Sequence, residues 1–484
     1  MFHYKPTFFL LFICFASCQQ RPSKVARPVI QGFWEKQGDG QVLDISQSAI
    51  KFYDVTQKSC LPVKTIDLKN LAELGEVIKL TADSLVLKSG INRYQFTRLK
   101  ALPNLCSLKK DTIDKDPVAN FEVFWHTFNE NYAFFEKRNI HWDVVYKTYR
   151  PKINHQTTDK ELYKLFNEII AKFNDGHITL DVPEALSSEG KTVNELDAAP
   201  KNRLPQTPEV SAFELRNALL KRYVKQPTSW GRDLYGNGLM NWGITKENVG
   251  YIQVNWMLFY RNYQIADSVK GDDYISQYFQ KAGGNPLHMR QEVEQVRKIM
   301  DNSVTDLKDV DGIILDIRLN GGGYDGVALE ILQHFINKKT IAFSKRTWLG
   351  KSFSDPTPIE MNPSGKRFLG PVILLTSHST ASAAEIAAMA AMGLKNFTRI
   401  GSSTEGIFSD RLEKKLPNGW SFSLSNQVYL NSANENFENI GIPPTLKVSY
   451  PREANEFRYS ILRNLNKGDA AIDSAISLIT KTRK

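Results

Sequence analysis

A chain of 484 residues is long enough for two or three domains, and 42% hydrophobic against 24% charged residues is ordinary for a globular protein, so nothing calls for a fibrous or disordered class. The formal charge of +10 is spread along the chain without a basic run, which excludes a nucleic-acid partner, and lysine pairs such as Lys414 and Lys415 read as solvated surface. There are four cysteines, with no CxxC or Cys/His cluster of zinc spacing, so neither a metal nor a cofactor is expected.

Residues 1–18 read as an export segment: Lys5, the apolar run Phe8 to Phe15, then Ala16 and Ser17 before Cys18. The run is too short to span a bilayer as a helix. Its end resembles a lipoprotein box, with Phe15 where an aliphatic residue is usual, and this predicts lipidation of Cys18. The expectation is an exported protein anchored to a bacterial membrane and facing the periplasm or the cell surface, with plain secretion as the alternative. An exported compartment permits a disulfide between Cys60 and Cys106.

A polar linker (19–28) leads into residues 29–112, where short alternating runs such as IKFYDV and VIKLTADSLVLKSG predict a small antiparallel β domain that serves as a spacer or docking module. Residues 113–183 change to helical spacing. Phe121, Trp125, Phe128, Tyr132 and Phe135 predict a helix over Val118 to Phe135, its aromatic stripe serving as core. Thr158 and Glu161 form a capping box for a second helix that ends at Asn174-Asp175-Gly176, just before His177. Residues 184–246 read as an insert with one helix near Ala212 to Val224 and no PDZ signature.

Residues 247–450 alternate strands and helices: VGYIQV, a long helix marked by Met289, Val293, Val296 and Met300, the strand VDGIILDI, the glycine turn LNGGG, a helix from Val327 to Ile336, the strand PVILLT and the alanine-rich helix after Ser382. This order predicts a mainly parallel α/β layer with active groups at the strand ends. Residues 451–484 read as a helical tail.

Ser382 lies where a buried strand turns into a helix, so free amides and the positive helix end are at hand for an oxyanion; the plainer reading is an N-cap. The glycine turn lacks a Walker lysine or a GxGxxG, so phosphate binding is weakly supported. One amide from this turn, at Gly322, and one from Ala383 would make a two-donor oxyanion hole.

IILDIRLNGGG, TSHSTASAAE, GSSTEG and FENIGIPP stand in the order and approximate spacing of the C-terminal-processing and tricorn-type serine peptidases, and Pro117 to Ser449 resembles that family. The resemblance implies a crotonase-like core and an acyl-enzyme formed on Ser382, with Ala383 as an oxyanion donor. It also implies peptide or protein substrates, cleaved internally or at C-terminal tails and bound as an added strand; relatives often form homo-oligomers. One sub-type takes its base from a lysine that here falls on Ile407, and Lys414 or Lys415 would need a loop shift to replace it. The tricorn-like sub-type uses a histidine and a glutamate, which His177 and Glu438 match, although Gly176 stands where that pattern has a serine.

A histidine suits proton removal from a serine near neutral pH, and a carboxylate on its far nitrogen fixes its tautomer. His378 is the rival base, four residues before Ser382; Glu385 and Glu405 compete with Glu438. Two other classes stand beside the peptidase. One is a catalytically inactive binder of peptides or apolar ligands on the same fold, and the other is a crotonase-type acyl-CoA enzyme, disfavoured by export and by the serine motif.

Overall fold

The computed structural model describes residues 29–107, 115–189, 207–283 and 285–481. The export segment, with Cys18, lies outside the described residues. None of the helices described is long and apolar enough to cross a membrane.

Seven strands between Gly32 and Leu99 form one antiparallel sheet, in which Gly32–Lys36 pairs with both Gln41–Ile45 and Asn92–Leu99. Alternation builds its core: Ile50 and Phe52 turn inward from Ala49–Val55 onto the fully buried Trp34. Cys60 and Cys106 are joined in a disulfide that ties the exit of this domain to its fourth strand.

The helix Pro117–Asn131 begins on Asp116, which accepts from Val118 N–H at 3.2 Å, and stops four residues short of the expected end. Tyr132 is extended (ψ 127°) because its ring turns inward and its hydroxyl donates to Asp175 Oδ2 at 3.0 Å. The capping box is present: Thr158 N–H donates to Glu161 Oε2 at 2.8 Å and Glu161 N–H to Thr158 Oγ1 at 3.3 Å. These helices are not a free-standing subdomain. Phe124, Phe128 and Phe166 share one core with Trp420, Phe422 and Leu424.

The central sheet runs Leu446–Lys447, Phe397–Gly401, Val372–Thr376, Ile313–Asp316, Gly250–Val254, Met240–Ile244, Thr228–Trp230; the first five are parallel, and Met240–Ile244 is antiparallel to both of its neighbours. Two expected boundaries are therefore corrected. The part of 184–246 described from residue 207 onward is not an insert, since Met240–Ile244 pairs in hairpin with Gly250–Val254. Met240 to Gly243 are buried on both faces, which removes the alternation that marks a strand. Nor is 451–484 an appended tail: Phe457, Ile472 and Ile479 cover one sheet face against Ile314, Ile373 and Leu375. The opposite face is covered by the helices Gly271–Gly283, His288–Asp306, Asp325–Gln333 and Ala383–Ala391.

Lys414 is likewise not solvated surface. It is 3% exposed, and its Nζ donates to Asp54 Oδ1 at 2.7 Å, docking the β domain on the core and leaving this lysine no part in replacing a base near Ile407. The C-terminal helices are pinned by Arg318, fully enclosed, which bonds Asp316 Oδ2 at 2.6 Å and Asp469 Oδ2 at 2.9 Å. Removing one partner of a buried ion pair leaves charge uncompensated. Asp469→Ala is expected to lower stability by about 3 kcal/mol in urea unfolding, whereas Asp473→Ala, on the same helix, should cost less than about 1 kcal/mol.

Candidate active site

Val372–Thr376 is entirely buried, and hydroxyls fasten the chain that leaves it: Ser377 Oγ donates to Arg318 O at 2.6 Å and Thr380 Oγ1 to Ile317 O at 3.0 Å. The connection ends in Ser382 at φ 52°, ψ −124°, a conformation that costs an L-residue on the order of 1–3 kcal/mol. Glu385 holds it there. Fully buried one turn into the helix, Glu385 accepts the Ser382 N–H at 3.2 Å, Thr404 Oγ1 at 2.5 Å, Gly406 N–H at 2.7 Å and Ile407 N–H at 2.8 Å. Burial pushes its carboxyl up to about 8, opposed by these donors. Of the roles open to Glu385, positioning Ser382 is the one seen.

Ser382 and Glu385 form a capping box, each side chain facing the other's backbone N–H, so the hydroxyl oxygen accepts and its proton is left free, while the Ala383 N–H has no protein hydrogen-bond partner among the described residues. Gly322 packs directly on them: at φ 107°, a Cβ on it would lie 2.7 Å from Ser382 Cβ and 3.0 Å from Ala383 N. Its own amide differs from expectation, because it donates to Asn320 Oδ1 at 2.9 Å. Asparagine two residues before an amide closes an Asx turn, and that local bond takes the donor.

His177 follows a turn with Asn174 at φ 48°, and Asp175 Oδ1 accepts its N–H at 3.0 Å. The ring is buried against the Ser409 backbone, with no hydrogen-bond partner at Nδ1. Burial lowers its pKa and Asp175 raises it in part, so the ring is neutral at pH 7, the form a base requires. A Cβ on Gly176, the glycine before it, would lie 2.8 Å from Ile407 Cδ1, the tip of a side chain that can shift to admit it.

Glu438 is fully buried and accepts from Arg138 Nη2 at 2.7 Å and from Phe408 N–H at 2.9 Å. Burial pushes it up to about 7, with Asp175 adding and Arg138 opposing. His177 and Glu438 border the loop 404–409, to which Ser382 is joined through Glu385, but no hydrogen bond joins His177 to Ser382 or Glu438 among the described residues. His378, half-buried, has its ring at the Thr404 backbone, and burial lowers its pKa. Glu405 is exposed, and its N–H braces the Thr380 carbonyl at 3.0 Å. No group of His, Cys, Asp or Glu among the described residues is placed to hold a metal.

Arg138 is the residue the sequence did not disclose. Its guanidinium donates to Phe173 O at 3.1 Å, Asn174 O, Asn439 Oδ1 at 3.2 Å and Glu438 Oε1, while Nε lies 3.6 Å from Asp175 Oδ2. One cation thus clamps the turn before His177 to the segment carrying Glu438. Arg138→Met would leave two carboxylates buried together and should cost about 3–5 kcal/mol at pH 8. Glu438 takes up its proton at about 7 with Arg138 beside it and at higher pH without it, so the deficit should shrink as pH falls from above 8 towards 7 and level off below that; urea unfolding at pH 8.5, 7 and 6 checks this.

Residues 248–448 match the profile of peptidase family S41, and residues 114–171 match the tricorn protease C1 domain. A carboxy-terminal-processing protease of Bartonella bacilliformis is 28% identical over 140 residues, which are 29% of this chain and 31% of that protein, so the match spans about a third of the relative. A putative peptidase from Parabacteroides merdae shares the fold at 21% identity and a TM-score of 0.54, over 76% of this chain and 97% of that one. Residues 248–448, which hold the strained serine and the glycine turn packed on it, thus form a peptidase family S41 domain, with the segment like the tricorn C1 domain ahead of it in the chain.

Proposed function

We propose that the protein is an exported serine peptidase that cleaves peptides or protein C-terminal tails through an acyl-enzyme. The observation that carries this reading is Ser382 itself, held at φ 52° at the helix N-terminus with its hydroxyl beside the uncommitted amide of Ala383. A strained turn that exposes a hydroxyl at a helix N-terminus is what acyl transfer uses. In the reaction, His177 takes the proton as Ser382 Oγ attacks the carbonyl, then returns it to the leaving amine; water repeats the cycle on the ester. Ala383 N–H receives the oxyanion, joined by Gly322 N–H once it leaves Asn320. The bond from His177 to Ser382 forms with substrate in place, since such contacts tighten in the Michaelis complex. Glu438 acts through Arg138, which fixes the turn that carries His177.

The parallel sheet with helices on both faces is read as a crotonase-like core, with substrate running as an added strand beside Ser382. Lipidation of Cys18 would anchor the enzyme to the membrane. The commitment of Glu438 to Arg138 favours a second reading, a binder that keeps the fold without turnover. A fluorophosphonate separates the two: mass spectrometry should find the adduct on Ser382, absent in Ser382→Ala and formed at least about 100-fold more slowly in His177→Ala. A folded protein that gives no adduct supports the binder.

A further inference from the structure

Tyr429 places its hydroxyl 2.7 Å from Asp325 Oδ2 and 2.7 Å from Asp410 Oδ1. A phenol has one proton, so it can donate to only one of two carboxylates. The second short contact needs the other carboxyl to be protonated and to donate to the phenol oxygen. Lys345 decides which. Its Nζ donates to Asp410 Oδ2 at 2.5 Å and to Asn92 Oδ1 at 2.7 Å, which keeps Asp410 ionised and leaves the proton to Asp325. Burial pushes Asp325 up to about 6, with Asp410 adding and Lys345 opposing; for Asp410 burial acts in the same sense but Lys345 and the hydrogen bonds outweigh it.

The two carboxylates belong to opposite sides of the candidate site. Asp325 opens the helix Asp325–Gln333 directly after the glycine turn and Tyr324, on the Ser382 side. Asp410 follows Ser409, the residue His177 faces. Asn92 lies in the N-terminal β domain, so that domain also holds the cation that keeps Asp410 charged. We propose that Tyr429 is a positioning residue whose hydroxyl, donating to Asp410 and accepting from the acid form of Asp325, holds the His177 side of the site in register with the glycine turn. This rests on the peptidase reading of that site. The charged or titratable groups facing the pair are Lys345, His177, Lys36 and Tyr94.

The sign follows from Asp325. Its folded pKa lies above its unfolded value of 3.8, so the stabilisation it brings is complete below about pH 4 and is lost as pH rises through about 6. Asp325→Asn mimics the protonated acid and keeps a donor at all pH values. The ratio of wild-type to Asp325→Asn fluorophosphonate labelling of Ser382 should therefore fall between pH 5.5 and 7.5, and Tyr429→Phe should label about tenfold more slowly than the wild type at pH 5.5. Urea unfolding should show the wild type losing stability relative to Asp325→Asn between about pH 4 and 6.5. Tyr429→Phe labelling within twofold of the wild type, or an unfolding difference that does not move with pH, overturns the proposal. If the wild type itself is not labelled, the peptidase reading fails, and the unfolding comparison alone decides whether Asp325 donates to the phenol.

Discussion

The site depends on one buried carboxylate. Glu385 takes donors from Ser382, Thr404, Gly406 and Ile407, so a single side chain sets the strained serine and the turn that faces it. A hydrogen bond is worth about 0.5–1.5 kcal/mol net, so four of them together match or exceed the roughly 1–3 kcal/mol stored in the backbone at Ser382. The strain is therefore held by the surrounding structure, and an alanine-rich helix with no bulk on its first turn lets the carboxylate reach all four partners. The loop it fixes continues through Phe408, whose amide meets Glu438, to Ser409, against which His177 is buried.

The helical region supplies His177 and Arg138, the parallel sheet supplies Ser382 and the glycine turn, and the strands after residue 410 close the core between them. Because Phe422 and Leu424 pack with the aromatic stripe of the first helix, the turn carrying His177 has a fixed seat next to the Ser382 layer. The β domain is joined to the core through Lys414 to Asp54 and through Lys345 to Asn92.

Much of this was legible because it is local. A fully apolar run followed by serine and alanines marks a buried strand entering a helix, and Thr158 with Glu161 marks a helix start; both stand as read. The residues that escaped act over long separations. Arg138 meets Glu438 across 300 positions, and a Lys-Arg pair after Phe-Phe-Glu reads locally as surface. Lys414 was misjudged for the same reason. The strand Met240–Ile244 was missed because burial on both faces erases its period, and the Gly322 amide because an Asx bond from Asn320 competes with the role its position suggests.

The most direct measurement is amide hydrogen exchange in Glu385→Ala against the wild type. If the carboxylate organises the site, the amides of Ser382, Gly406 and Ile407 should exchange at least about 100-fold faster in the variant while those of Val372–Thr376 keep their protection. Unchanged protection at Gly406 and Ile407 in a folded variant would show that Ser382 and its facing turn are held by something other than Glu385.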